Sequence, residues 1–262
     1  MKKATLIFAV CGLVIGLALA SAMWLWPRAG PEAPAPLWPE RPLAEDDPAW
    51  PLVAAVMQWR NGRPDPETLA SFRIYWPLAR IHPMLVHEHE RVRHSAVLAL
   101  AFVGERGCID ALMERLRDEA MVVRRVADRA LWQIWFRLGS DTANHWVREG
   151  ARAIQAGAAQ HAFMVLGWAI EDSPGFAEAY NQRAILHFSV RDYAASSQDC
   201  RRALQRMPRH YGALAGLGRC LMHLGRDAEA IEMLKKARQI NPNLNLDGTI
   251  RALESRVSVL AV

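Results

Sequence analysis

The chain lacks the short motifs that mark most catalytic and cofactor sites. Its four cysteines form neither a CxxC nor a CxxCH pair, so no redox motif and no covalent haem site is indicated. No serine lies in a glycine-flanked nucleophile elbow, and no glycine-rich loop for binding phosphate is present. We therefore expect a protein that is not an enzyme and that has no cofactor.

A concentrated basic surface for nucleic acid is also missing. The formal net charge is +5 over 262 residues, but Lys2 and Lys3 belong to an apolar amino-terminal segment. Between residues 85 and 135, arginines alternate with aspartates and glutamates, which is typical of the solvated face of a helical stack. Because no basic stripe is interleaved with aromatic residues, we expect no nucleic-acid partner.

The sequence does contain a long repeat, which recurs three times towards the carboxyl end. Each copy ends in a proline that follows an alanine by five positions, and the pairs are Ala169 and Pro174, Ala203 and Pro208, and Ala237 and Pro242. Each copy also has a large residue at its fourth position, followed four positions later by a small one, at Trp146 and Gly150, Tyr180 and Ala184, and Leu214 and Gly218. A helical pair of this length, about 34 residues, cannot bury its apolar face alone, so we expect the copies to stack.

This pattern resembles the tetratricopeptide repeat family over residues 143–244. The resemblance implies three helical pairs, with the first helix of each pair lining a concave face that binds a peptide or protein. Residues 243–262 are predicted to form a final amphipathic helix that caps the stack, so the predicted repeat domain covers residues 141–262.

The resemblance also predicts which residues contact the partner. They occupy the concave positions of the first helices, at Asn144, Val147, Gln155, Asn181, Ile185, Phe188, Arg219, Met222 and His223. Some family members hold the terminal carboxylates of heat-shock chaperones with a clamp of lysine and asparagine. That clamp is missing here, which disfavours chaperones as partners.

A second repeat, with a shorter period, precedes the first. The recurring residues are Val92, Arg93, Ala96, Ala99, Leu100 and Val103, which match Val123, Arg124, Ala127, Ala130, Leu131 and Ile134. The pattern resembles the short HEAT-like repeats of phycobilin lyases and implies HEAT-like helical pairs over residues 51–140. The number of such units before residue 90 is left open.

Four histidines, His82, His87, His89 and His94, lie close together in the run HPMLVHEHERVRH. Imidazole is a suitable ligand for zinc or iron, and the His-Glu pairs resemble those of the HEAT-like deoxyhypusine hydroxylases. The positions one period later in the shorter repeat carry no histidine, so a facing repeat supplies no matching ligands. We therefore expect no metal, with a site at His87, His89 and His94 as the alternative.

Residues 1–26 are predicted to be a signal anchor, with a cleaved signal peptide as the alternative. The stretch from Ala4 to Trp26 carries no charge, and a helix of that length spans about 30 Å of hydrocarbon. A signal peptide usually has an apolar region of only about 7 to 15 residues. The small-x-small sequences between Ala18 and Ala22 nevertheless leave cleavage open.

Residues 27–50 are rich in proline and are predicted to form an extended linker. The lysines before the apolar stretch predict an amino terminus in the cytoplasm. The repeats of a single-pass protein of the bacterial inner membrane would then lie in the periplasm. Cleavage would instead give a periplasmic or secreted protein.

The predicted fold is all-α: an N-terminal transmembrane helix, then an α-solenoid of HEAT-like helical pairs, three tetratricopeptide units and a capping helix. The predicted function is a membrane-tethered protein–protein interaction scaffold, either an adaptor or an assembly factor. The alternatives are a HEAT-like metalloenzyme and an accessory factor in c-type cytochrome maturation. Self-association and a disulfide between Cys200 and Cys220 are left open.

Overall fold

The computed structural model describes residues 43–44, 46–61 and 64–260. Thirteen α-helices and three short 3-10 helices make up the regular structure of these ranges, which contain no strand. The all-α prediction is therefore confirmed for this part of the chain. The predicted anchor at residues 1–26 and most of the predicted linker at 27–50 lie outside it, and no helix within it has the length and apolar character needed to cross a bilayer.

The chain divides into two compact units, Met1–Gln133 and Ile134–Val262. The α-helices that begin in the first unit are α1 (Trp50–Met57), α2 (Pro66–Tyr75), α3 (Leu78–Ile81), α4 (Glu90–Val103), α5 (Ile109–Arg115) and α6 (Met121–Trp135). The 3-10 helices are Gln58–Asn61, His82–Val86 and Arg106–Cys108. Helices α1, α2 and α3 each pack against α4, which is buried along most of its length.

The shorter repeat corresponds to α4 and α6. Matching apolar positions of the two helices are fully buried, at Val92 and Val123, Ala96 and Ala127, Ala99 and Ala130, and Leu100 and Leu131. Arg93 Nη1 donates to the backbone carbonyls of His87 and Glu88, and Arg124 Nη1 donates to those of Asp118 and Glu119. Both arginines therefore hold the loop that precedes their own helix. The HEAT-like interpretation of these units stays a prediction.

The second unit is a series of helical pairs followed by a single helix. The pairs are α7 (Asp141–Gln155) with α8 (Ala159–Asp172), α9 (Ala177–Ser189) with α10 (Tyr193–Arg206), and α11 (Tyr211–His223) with α12 (Asp227–Ile240). Each second helix also packs on the next first helix, and the first helices contact one another in order. The final helix, α13 (Asp247–Leu260), packs on α12, where a capping helix is predicted.

Small residues let the two helices of a pair approach closely. A Cβ atom placed on Gly150 would lie 2.6 Å from Leu166 Cγ, and one placed on Gly218 would lie 2.7 Å from Leu234 Cγ. Both leucines are fully buried. The same contact therefore recurs in the first and third pairs, with the leucine of the second helix filling the space that the missing side chain leaves.

The turns inside the pairs follow the same period. Gly157 and Gly225 have φ of 72°, and Arg191 has φ of 65° at the equivalent position of the middle pair. This left-handed conformation is favourable for glycine and costs an ordinary residue roughly 1 to 2 kcal/mol. The middle pair therefore keeps the geometry of the turn without the glycine that favours it.

We predict that Gly218→Ala destabilises the protein, although alanine favours a helix over glycine. The added methyl group must push Leu234 away and also lies 3.2 Å from the Ala230 carbonyl oxygen. Overpacking of about 1 to 3 kcal/mol should outweigh the helix gain of about 1 kcal/mol. The matched control is Gly167→Ala in α8, where no atom lies within 4 Å of the new methyl group. Urea unfolding should show a loss for the first variant and a gain for the second; a gain in both would contradict close packing at Gly218.

Candidate protein-binding face

The first helices α7, α9 and α11 form a row that we call the first-helix face. The nine residues predicted to bind a partner all lie on these helices, but the structure divides them into two groups. Asn144, Val147 and Asn181 lie in the N-terminal halves of their helices and are buried. The other six lie further along the helices and retain accessible surface, at Gln155, Ile185, Phe188, Arg219, Met222 and His223. Their contact with a partner stays a prediction.

The buried residues have partners inside the chain. The Asn144 side chain accepts a hydrogen bond from the Gly139 N–H at 3.0 Å and donates to the Gly139 carbonyl at 3.1 Å, so it closes the loop before α7. Val147 belongs to the apolar core of the first pair. Asn181 donates to the Glu178 carboxylate at 3.2 and 3.3 Å. These three side chains stabilise the fold where the sequence predicts a binding role for them.

Glu178 is the centre of a polar cluster that the sequence analysis missed. The carboxylate is 1% exposed and also receives hydrogen bonds from Gln182 Nε2 at 2.6 Å and His210 Nε2 at 2.9 Å. His210 Nδ1 accepts the Ala213 N–H at 3.1 Å, so the ring proton is carried by Nε2 and donated to the carboxylate. A buried charge is tolerated when several donors surround it, as they do here.

Trp135 covers this cluster. The residue precedes the first helical pair, is fully buried, and stacks on the His210 ring with centroids 4.0 Å apart. Its indole also contacts the edge of Tyr211, at 4.9 Å between centroids. We call this region the closed half of the face, because its buried side chains contact one another. It is formed by Trp135, Glu178, Asn181, His210 and Tyr211.

The opposite end of the face carries an aromatic group that the chain leaves partly in water. Phe188 contacts the edges of Tyr193 at 5.1 Å and of His223 at 5.4 Å, and Tyr193 stacks on His223 at 4.2 Å. Val190 and Leu224 follow in the adjacent turns and are 48% and 40% exposed. The residues of this open patch are Phe188, Val190, Tyr193, Met222, His223 and Leu224. These residues come from the second and third pairs, which meet here through the contact between Phe188 and His223.

An ion-pair cluster centred on the buried Asp199 joins the two helices of the second pair. Arg183 on α9 binds the Asp199 carboxylate of α10 through two hydrogen bonds, of 2.7 and 3.0 Å, and Arg202 adds a third at 2.8 Å. Although burial opposes ionisation, the hydrogen bonds and charge of these arginines hold the pKa of Asp199 below its usual range. Asp199 therefore stays charged and ties α9 to α10.

Burial lowers the pKa of the two histidines near this end. The pKa of His223 falls because its ring is partly removed from water, and desolvation is also the largest cause of the lowered pKa of His187. Both rings are therefore mostly neutral at pH 7. The aromatic group at this end consequently adds apolar area without adding charge.

The two cysteines whose pairing the sequence left open face each other across α10 and α11. Cys220 Sγ lies 3.0 Å from the Ser196 hydroxyl, and Cys200 Sγ lies against Gly216. A hydrogen bond from one thiol to the other, together with burial, raises the pKa of Cys200. Both residues are thiols in this structure.

The histidine run lies in the first unit, where its members have structural contacts. His87 Nδ1 accepts the His89 N–H at 3.1 Å, and His89 Nδ1 accepts the Arg91 N–H at the start of α4. His82 Nε2 lies 3.4 Å from Cys108 Sγ, and His94 lies one turn into α4. Over the described ranges, no group of three or more potential ligands is arranged to hold a metal ion.

Comparison with known proteins supports the interpretation of the second unit. A tetratricopeptide repeat family model matches residues 187–256, which covers the end of α9, all of α10 to α12 and most of α13. The match falls inside the predicted repeat domain at 141–262, whereas the first predicted unit and the predicted HEAT-like segment lie outside it. Repeats of this family typically form binding scaffolds without catalytic activity.

A relative with the same type of repeat is also found. The chain is 31% identical over 127 residues to a TPR repeat-containing protein of Rhizobium etli. The aligned region covers 48% of this chain and 59% of the relative. This chain therefore spans less than two thirds of the relative's length, and the similarity concerns the repeats and not the activity of a whole protein.

We predict that Trp135→Ala lowers the free energy of unfolding by about 3 to 5 kcal/mol, because it empties a fully buried site between His210 and Tyr211. The control is Trp168→Ala in α8, whose side chain is 41% exposed and should lose about 1 kcal/mol or less. Chemical unfolding measures both. Equal small losses would mean that Trp135 does not close this half of the face.

Proposed function

We propose that the protein is a membrane-tethered scaffold for protein–protein interaction, acting as an adaptor or assembly factor. In this proposal the first-helix face of the second unit binds a peptide or protein. The observation that carries the proposal is that the first-helix face has accessible aromatic, aliphatic and arginine side chains, at Ile185, Phe188, Arg219, Met222 and His223. Interfaces that bind tightly are centred on such side chains.

The family match gives independent support to a binding role. It covers the end of α9, all of α10 and the third pair, and these segments carry the residues of the open patch. Stacked helical repeats present an extended surface and contact their partners with the exposed side chains of successive units. A partner that spans the second and third pairs would contact Ile185, Phe188, Arg219, Met222 and His223.

The tether is proposed from the amino-terminal sequence. A charge-free stretch from Ala4 to Trp26 follows two lysines, which favours a single-pass inner-membrane protein with its repeats in the periplasm. The proline-rich linker would then separate the helical units from the bilayer. A cleaved, periplasmic or secreted form remains the alternative.

The proposal is tested by photo-crosslinking in cells. A benzophenone amino acid at Met222 of the full chain should give a discrete adduct in the membrane fraction, because this residue belongs to the open patch and retains accessible surface. The same amino acid at Gln205, which is exposed on the second helix α10, is the control and should give none. Equal labelling from both positions, or none from either, would contradict a partner on the first-helix face. An adduct recovered only in the soluble fraction would favour the cleaved form.

A further inference from the structure

Two buried thiols lie in the seam between the second and third pairs. Cys200 is on α10 and Cys220 is on α11, and these two helices pack directly on each other. Both side chains are at most 2% exposed. Neither cysteine is among the residues that we propose contact a partner, so their chemistry is separate from partner binding.

The contacts around each sulfur place it close to the other cysteine. Cys220 Sγ lies 3.0 Å from the hydroxyl of Ser196, which precedes Cys200 by one helical turn on α10. In the same way, Cys200 Sγ lies against Gly216, which precedes Cys220 by one turn on α11. Each sulfur therefore reaches across the seam to the other cysteine's helix, and the two thiols are hydrogen-bonded to each other.

Gly216 lets the Cys200 sulfur lie this close to α11. A Cβ atom at this position would be 3.2 Å from Cys200 Sγ, which is closer than ordinary van der Waals contact. An S–S bond of about 2.0 Å is shorter than any contact between two thiols. Closing the bond therefore requires rotation of the two side chains and a small approach of the helices.

We propose that Cys200 and Cys220 form a disulfide that ties the second pair to the third when the chain folds in the presence of an oxidising disulfide. The oxidant is the disulfide of a small thiol or of another protein. Such oxidants are present in the periplasm, whereas the cytosol keeps thiols reduced. The occurrence of the bond in cells thus rests on the location given in the proposed function, while the pairing of the two sulfurs depends on the seam alone.

The bond forms by thiol–disulfide exchange in two stages. The thiolate of one cysteine attacks a sulfur of the oxidant, so that a mixed disulfide forms and the first thiolate of the oxidant leaves. The second cysteine loses its proton to solvent, attacks the cysteine sulfur of the mixed disulfide and releases the second thiolate. The two cysteines lose two electrons and two protons in total, and the oxidant is reduced to two thiols.

Burial determines when these stages take place. The oxidant cannot reach either sulfur in the folded chain, so the first stage takes place before α11 has packed on α10. Packing of the two helices then brings the second thiol to the mixed disulfide. Once the seam is closed, any thiols that remain should react slowly, because buried thiols are shielded from reagents in solution.

The test refolds the full chain from urea in a glutathione buffer that contains an excess of the disulfide. Thiols are alkylated before reduction, and those that reduction releases are alkylated with a second reagent. Trypsin separates the two cysteines, because arginines lie between them, so a linked pair of peptides identifies the bond by mass spectrometry. We expect a link between Cys200 and Cys220 in most molecules. Free thiols at both positions after refolding would overturn the inference.

Cys108 is the control within the same chain, because it is also fully buried but lies in the first unit. It should remain a thiol. Cys200→Ser and Cys220→Ser should each abolish the linked pair of peptides, and Cys108→Ser should keep it. Circular dichroism checks folding, and alanine replaces serine in any variant that unfolds. A link from Cys200 or Cys220 to Cys108 at similar yield would mean non-specific oxidation and would overturn the inference.

Thermal unfolding tests whether the bond fits the folded seam. A disulfide between positions 200 and 220 restricts the unfolded chain, so the oxidised protein should melt at least about 4 °C above the reduced protein. Cys220→Ser should show no such difference, and Cys108→Ser should retain it. A linked protein that melts no higher than the reduced form would mean that the bond distorts the seam, and would count against the proposal.

The outcomes are distinguishable from those of the proposed function. A linked pair of peptides without a crosslinked adduct at Met222 would keep the disulfide and reject the binding face. An adduct at Met222 without the linked pair would leave the scaffold function in place and reject only the disulfide.

Discussion

The second unit depends on the close approach of two helices at a glycine. Gly150 and Gly218 provide no side chain, so Leu166 and Leu234 lie directly over the backbone of the first helix. Full burial of one leucine contributes about 1.5 to 3 kcal/mol, and the contact is present in the first and third pairs. Because it fixes the spacing within a pair, it also fixes where the next pair packs, and a row of first helices results.

The row of first helices is the surface that we propose binds a partner, and its two ends differ. At one end Trp135, which lies outside the three pairs, packs against His210 and Tyr211, so that these two side chains are buried. At the other end the side chains of Phe188 and Met222 have no such cover and retain accessible surface. The repeats are alike in sequence, so the asymmetry comes from the residue that precedes them and not from the repeats.

The longer repeat was sufficient to predict the helical pairs, because proline ends a helix and a small residue is required at a close contact whatever surrounds it. It was not sufficient to predict which face positions are accessible. Asn181 has the polar side chain expected of a binding residue, yet it is buried against Glu178. Glu178 is also bound by His210, which lies at the start of the next pair, and periodicity carries no information about that pair of residues. The left-handed turn at Arg191 was also missed, since the sequence shows glycine in only two of the three turns.

The histidine run shows that residue type alone also does not determine the role of a residue. Its residue types suit a metal, but His89 caps α4 and His87 supports the loop before it, so backbone geometry explains their positions. In the first unit the repeated arginines were recognised only as a pattern. The structure shows that Arg93 and Arg124 each hold the two carbonyls that precede their helices, which gives the pattern a physical cause.

The central claim is that the first-helix face is closed at Trp135 and open at Phe188 and Met222. Hydroxyl-radical footprinting of the intact protein with mass spectrometry measures it most directly, because oxidation rates follow the accessible area of each side chain. The account predicts rapid oxidation of Met222 and Phe188 and slow oxidation of Trp135 and Tyr211, which are at most 1% exposed. Rapid oxidation of Trp135 together with protection of Met222 would contradict it.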